Sequence, residues 1–116
     1  MLIRFLGILV SFATLEAQDI SGVWQGTLGE GADKIRLVVQ FHRAQKLWTG
    51  AFFSIDQNPD RGIGTPLKSV LVQGSAIQFR LDNEGAFEGI VNSDRNSMTG
   101  TWIQGIRQPI TFQQRL

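Results

Sequence analysis

The chain has a single histidine, His42, so any imidazole-dependent chemistry would have to use this residue. Catalysis of the Ser-His-Asp type needs a serine beside a histidine base, and in α/β-hydrolases that serine sits in a Gly-X-Ser-X-Gly turn. The sequence has no such turn, and it has no cysteine that could act as a thiolate nucleophile. His42 falls on the polar side of a short alternating run, so we expect a solvated surface histidine.

Carboxylates are the other groups that could do chemistry. Asp56 and Asp60 lie close together, but the segment lacks the glycine and the distal glutamate of a calcium-binding loop. Glycoside hydrolysis needs two carboxyl groups facing each other across a cleft, and Glu88 is the one further carboxylate outside an obvious hairpin turn. The alternation around Glu88 places it on a solvated face. The sequence therefore predicts no metal, no cofactor, no catalytic residue and no enzyme.

The run Leu47–Ile55 is apolar on both faces, because Trp48 and Phe52 alternate with Phe53 and other apolar residues. A strand of this kind needs a cover on its second face. That cover could be the long link Asp56–Pro66 folding back, a ligand or a partner domain, and exposed aromatic rings could also stack on sugar rings. The candidate ligand-binding residues are Trp48, Phe52, Phe53, Asp56 and Gln57.

Composition and charge fit a single packed domain. The 116 residues leave room for one core, and 42% are hydrophobic while 18% are charged. The net charge is +1, and no basic block is longer than two residues. Nucleic acid and anionic membranes are therefore excluded as partners, because both attract clustered Lys and Arg.

Residues 1–17 read as a signal peptide. Arg4 supplies a short positive region, Phe5–Phe12 an apolar run, and Ala13 and Ala17 the small residues of two alternative cleavage sites. A permanent anchor would need about 20 apolar residues, and this run is interrupted after roughly a dozen. We therefore expect residues 18–116 to be one exported domain, periplasmic or extracellular, with no membrane contact after cleavage.

The remaining sequence consists of short alternating runs separated by turn residues, which is typical of β-strands. Asp33–Phe41 is the clearest, because Ile35, Leu37, Val39 and Phe41 alternate on one face with mainly polar residues on the other. Seven further runs are predicted as strands: Gly22–Leu28, Leu47–Ile55, Leu67–Gln73, Ala76–Leu81, Ala86–Val91, Met98–Ile103 and Gln108–Arg115.

Short links between these runs force neighbouring strands to be antiparallel, since a parallel pair needs a crossover of a dozen or more residues. The predicted fold is all-β, an eight-stranded antiparallel up-and-down barrel. A barrel is favoured over the alternative, a two-sheet β-sandwich, because closure removes both unpaired edges. A barrel of this size can be filled by side chains or can hold one small ligand.

The segment Gly22-Val23-Trp24 resembles the Gly-X-Trp pattern on the first strand of lipocalins and related calycin barrels. The resemblance implies that the tryptophan plugs the closed end of the barrel and that an arginine of the last strand, here Arg115, lies across its ring. Plain core filling is the alternative. Thr99–Gly105 carries a similar glycine and tryptophan pattern, and the two segments are expected to meet near barrel closure. The residues predicted to close the barrel are Gly22, Trp24, Trp102 and Arg115.

A wider resemblance covers nearly the whole of residues 18–116. The segments that carry it are Asp19–Leu28, Lys34–Val39, Ser54–Gln57 and Thr99–Gly105, which are similar to a bacterial exported all-β domain. That domain is found alone or upstream of secreted α/β-hydrolase or other serine-hydrolase domains. The resemblance implies an accessory module and carries over no catalytic residue, because the hydrolase half would hold the nucleophile.

Two non-catalytic functions follow as expectations. The first is a binding module for a small apolar molecule, in the barrel or at its mouth. The alternative is an interaction domain that docks on a secreted hydrolase through the apolar face of Leu47–Ile55.

Overall fold

The structure is a computed structural model that describes residues 19–56, 64–82 and 85–115. The predicted signal peptide, Gln57 and Asp60 lie outside the described residues. In the part of the chain that is described, no helix has the length and apolar character needed to cross a bilayer.

The described residues form nine β-strands and one 3-10 turn, Gly31–Asp33. The predicted all-β class is therefore confirmed. Eight of the strands correspond to predicted runs, and the ninth is a two-residue strand in the link that was expected to be a loop. In chain order the strands are β1 (Gly22–Leu28), β2 (Ile35–Ala44), β3 (Leu47–Ser54), β4 (Thr65–Pro66), β5 (Ser69–Gln73), β6 (Ala76–Arg80), β7 (Ala86–Val91), β8 (Ser97–Gln104) and β9 (Ile106–Arg115).

All nine strands belong to one antiparallel sheet, with the order β4-β3-β2-β1-β9-β8-β7-β6-β5. The first and last strands are neighbours, because Val23–Gly26 of β1 pairs with Phe112–Arg115 of β9. The sheet curls until β5 approaches β3, which gives a barrel-like fold and not the two sheets of a sandwich. The expected meeting of the segments around Trp24 and Trp102 is wrong, since β9 lies between β1 and β8.

The two ends of the sheet come together at a seam between β3 and β5. Pro66 pairs with Ala51 of β3, at an edge position where its missing N–H costs no ladder hydrogen bond. The amide of Leu67 then donates to the carbonyl of Gly50, at 2.9 Å, while the next amide, Lys68, donates to Arg80 of β6, at 2.8 Å. The chain therefore passes from one edge of the sheet to the other within two residues.

Alternate residues of the long strands point into the barrel, and aromatic rings are the largest side chains of the interior. On β2 the predicted alternation is confirmed, because Leu37, Val39 and Phe41 are buried. Phe79 is at the centre of a ring cluster, with centroids 5.4–6.3 Å from those of its neighbours. The largest buried aromatic side chains are Trp24, Trp102, Phe41, Phe79, Phe87 and Phe112.

Glycines on the inner face make room for these rings. Gly89 of β7 pairs with Gly100 of β8. A Cβ on Gly89 would lie 2.6 Å from the ring of Phe87, and one on Gly100 would clash with the backbone oxygen of Glu88. A pair of glycines at this register lets the two strands approach while an aromatic ring covers their backbone.

We expect Phe79→Ala to lower the free energy of unfolding by about 3–5 kcal/mol, because the substitution leaves a cavity among four packed rings. Urea unfolding of the two proteins measures the difference. The matched control is Leu71→Ala on the exposed face of β5, which should cost about 0.5 kcal/mol or less. Equal losses in the two variants would mean that Phe79 does not organise the core.

Candidate functional site

The residues predicted as a ligand site do not come together. Phe52 faces the interior, where its ring stacks on Trp102 with centroids 5.5 Å apart. Trp48 is also on the inner face but lies towards the β2–β3 hairpin, with the Arg43 guanidinium 5.6 Å from its ring centroid. Phe53 points to the outer face. The three aromatic residues therefore belong to three different environments.

The outer face of β3 is partly covered by the link that follows it. Phe53 is opposite Val38 in the ladder between β2 and β3, and both side chains are half-buried. A Cβ on Gly64 would lie 2.6 Å from the Phe53 ring, so the described end of the link packs directly on that ring. Of the three covers considered for this strand, the link is the one that packs on Phe53.

Asp56 is held in an ion pair with Arg36. One carboxylate oxygen accepts hydrogen bonds from the Arg36 backbone amide at 2.8 Å and from Nε at 3.3 Å, and the other accepts from a terminal guanidinium nitrogen at 2.8 Å. These hydrogen bonds stabilise the ionised form and lower the pKa of Asp56 from 3.8 to about 2. Its carboxylate thus ties the end of β3 to β2.

The predicted closure residues are also separated. Trp24 is fully buried, and its indole Nε1 donates to the carbonyl of Ile20 at 3.0 Å. Gly22 begins β1 with a φ of 119°. Arg115 is opposite Val23 on the outer face, where its guanidinium donates to the Gln25 side chain. The expected stacking of Arg115 on Trp24 is therefore wrong, because the two side chains point to opposite faces of the sheet.

One end of the barrel carries a depression of about 200 Å³ that we call the Trp102 mouth. It lies where β1 and β8 end and β2 and β9 begin. The depression is lined by Leu28, Gly29, Asp33, Ile35, Trp102, Gln104 and Gln108.

The Trp102 mouth has an apolar floor and a polar rim. Trp102 is almost fully buried and Phe52 stacks on its ring, so little of the indole is exposed at the depression. The indole Nε1 donates to Oε1 of Gln104 at 3.1 Å, and Gln108 is directly opposite Trp102 in the ladder. Asp33 adds an exposed carboxylate from the 3-10 turn. The mouth can therefore take an apolar group and hydrogen-bond a polar one.

Three residues of this rim, Asp33, Gln104 and Gln108, were missed by the sequence analysis. Gln104 and Gln108 lie at inward-facing positions, in step with the buried residues of β8 and β9. Two polar residues at positions where the alternation predicts apolar ones could have drawn attention to them. That alternation alone could not show that the barrel ends beside them. No sequence pattern pointed to Asp33, because the 3-10 turn Gly31–Asp33 is what places it at the mouth.

The Asp56 ion pair gives a pH prediction. Because its folded pKa is depressed, Asp56 contributes stability that is present above pH 4 and is lost as the pH falls from about 4 towards 2. The difference in unfolding free energy between the protein and Asp56→Asn should therefore be constant above pH 4 and shrink below it. Urea unfolding at a series of pH values measures this difference. A difference that does not change down to pH 2 would contradict the ion pair.

Among the described residues, no three His, Cys, Asp or Glu side chains group together in a way that could hold a metal ion. No protein-family model, curated protein or solved structure matches the chain at a significant level. Its function is therefore inferred from the positions and chemistry of its own residues.

Proposed function

We propose that this protein is a non-catalytic exported binding module of lipocalin-like type that receives the apolar part of a small molecule at the Trp102 mouth. The observation that carries the proposal is the contrast between a ring-filled interior and an open depression at one end of the barrel. A ligand would rest on the packed core and would not enter it.

The filled interior is the first argument for a site at the mouth. Phe41, Phe79, Phe87 and Phe112 are all at most 1% exposed and pack ring against ring. Protein interiors packed in this way have few voids larger than a water molecule. A ligand in the lumen would have to displace these rings at a cost of several kcal/mol each.

The size of the mouth limits what it can hold. Pockets for drug-sized ligands occupy roughly 300–1,000 Å³, and the Trp102 mouth has about 200 Å³. It therefore suits one ring or a short alkyl segment, with the remainder of the ligand in solvent. The amides of Gln104 and Gln108 would orient a polar group attached to that ring or chain.

The placement of the reactive groups supports a role without catalysis. His42 is exposed on the outer face of β2, and the Asp56 carboxylate is taken up by Arg36. Neither residue borders the Trp102 mouth. A ligand at the mouth would meet amides and one carboxylate but no paired acid and base.

A matched pair of substitutions on β2 tests the proposal. Ile35→Phe enlarges a side chain that lines the mouth, whereas Val38→Phe enlarges a half-buried side chain on the opposite face of the same strand. We expect an anilinonaphthalene dye, followed by short fatty acids and single-ring aromatic compounds, to bind the unmodified protein with one-to-one saturation. Ile35→Phe should weaken this binding at least tenfold, and Val38→Phe should leave it unchanged.

Dye fluorescence and isothermal calorimetry give the affinities, and the unfolding midpoints verify that both variants fold. The proposal is wrong if the protein binds none of these compounds. It is also wrong if Val38→Phe weakens binding as much as Ile35→Phe.

Docking on a secreted hydrolase is the second candidate, and exposed apolar side chains on the outer wall favour it. Leu71 of β5 and Ile90 of β7 are both about half exposed, and Leu71 borders a groove of about 330 Å³. This surface is a better docking face than the outer side of β3, where the link already packs on Phe53.

Co-expression with a secreted α/β-hydrolase domain tests the second candidate. We expect the two proteins to co-purify and the double variant Leu71→Asp/Ile90→Asp to abolish the complex, because two charges would be desolvated at the interface. Leu47→Asp at another exposed site is the control. Failure of the unmodified protein to co-purify would remove this candidate.

A further inference from the structure

The walls of the barrel and its ends differ in charge. Within the nine described strands the one carboxylate is Glu88 on β7, while the other described carboxylates lie in turns and links. The same strands carry five arginines. Four of them lie on the outer wall, because Arg43 shares the inward register with Phe41 and lies over Trp48. One of these four, Arg36, is paired with Asp56. The outer wall of the described strands therefore has three further arginines against Glu88, although the net charge of the chain is only +1. The arginines of the strands are Arg36, Arg43, Arg80, Arg107 and Arg115.

Strand β9 concentrates two of these arginines on one outward line. Its outward residues are all exposed, and they place an arginine at each end of three uncharged residues. We call this line the β9 track. Eight residues of extended chain separate its arginines by roughly 27 Å. Its members are Arg107, Pro109, Thr111, Gln113 and Arg115.

The neighbouring strands extend the β9 track with more uncharged polar groups. Gln25 of β1 is directly opposite Gln113, and a groove of about 520 Å³ runs beside them and beside Thr27. On the other side Thr99 of β8 is opposite Thr111, with their hydroxyl oxygens 3.5 Å apart. Hydroxyls and amides therefore lie on both sides of the track.

No ion pair occupies the arginines of the track within the described ranges. Arg115 donates to the neutral side chain of Gln25, and the ion pair found in the described residues joins Arg36 to Asp56. A guanidinium has five N–H donors in a fork that matches a carboxylate. Both ends of the track can therefore bind an anionic group.

The chemistry of the track selects the kind of ligand. Strand β9 pairs with β1 on one side and β8 on the other, so an added peptide strand finds no free backbone edge there. Single-stranded nucleic acid binds through stacking on aromatic side chains, and the track has none. A chain of hydroxyls with carboxylates at intervals matches the amides, hydroxyls and arginines that are present.

We propose that the β9 track binds a linear acidic polysaccharide. Arg107 and Arg115 would pair with carboxylates of the chain, and the side chains of Gln25, Thr111 and Gln113 would hydrogen-bond its hydroxyls. This site is on the barrel wall and is separate from the Trp102 mouth.

The test measures binding of oligogalacturonate to the purified protein by isothermal calorimetry, with a cello-oligosaccharide of the same length as the neutral comparison. We expect oligogalacturonate to bind and the neutral chain to bind at least tenfold more weakly. Arg107→Gln and Arg115→Gln should each weaken oligogalacturonate binding about tenfold, as expected for loss of a charged hydrogen-bond donor. Arg80→Gln is the control, since it removes the same charge from the exposed face of β6.

Thr111→Glu is a second variant, which places a carboxylate in the middle of the track and should also weaken binding. Equal unfolding midpoints verify that all four variants fold. The proposal is overturned if oligogalacturonate does not bind, if the neutral chain binds equally well, or if Arg80→Gln weakens binding as much as the track variants. Equal or tighter binding of a single-stranded oligonucleotide would also overturn it and identify the track as a nucleic-acid surface.

Discussion

Close packing of aromatic rings around Phe79 is the constraint on which the rest of this fold depends. Phe79 contacts rings from four other strands, so one side chain ties together both halves of the sheet. Each such aromatic pair adds about 0.5–1.5 kcal/mol beyond the burial of its area. The chain has no cysteine and hence no disulfide, so this packing and the backbone hydrogen bonds of the seam hold the curled sheet closed. Because the rings occupy the interior, ligands are left with the mouth and the wall.

The inner-face glycines and the aromatic core depend on each other. The rings need space above the strand backbone, and Gly89 and Gly100 provide it where β7 meets β8. The wall can then carry polar side chains, because the large buried side chains of the core lie on the inner face of the strands. Arginine, threonine and glutamine occupy the wall along β9, whereas Leu71 and Ile90 are exposed on β5 and β7. Most of the described carboxylates lie at the ends of the barrel.

Much of the fold could be predicted from period-two alternation. The strands β1 and β7 begin and end at the predicted residues, and the inward face of β2 is the predicted one. The short strand β4 could not be predicted, since Thr65 and Pro66 show no alternation and pair only because the sheet curls to meet them. Arg115 was misplaced because the resemblance supplied its role, while the register between β1 and β9 turns it outward.

The site was harder to predict than the fold. Trp48, Phe52 and Phe53 are close in sequence, but the alternation of a strand sends neighbours to opposite faces, and Trp48 and Phe52 are two strand repeats apart. Asp56 was singled out as a ligand contact, and its partner Arg36 is twenty positions away, beyond the reach of local pattern. The Trp102 mouth forms where β1 and β8 end beside the starts of β2 and β9. The alternation within one strand does not show which strand ends meet.

Methyl NMR during titration with an anilinonaphthalene dye tests most directly whether the ligand rests on the packed core. The account predicts that the methyl signals of Leu28 and Ile35, which line the mouth, shift with saturation. The methyl signals of Ile77 and Met98, which are buried deep in the interior, should not move. Saturable shifts at Ile77 and Met98 together with unmoved signals at Leu28 and Ile35 would place the ligand in the lumen and contradict the account.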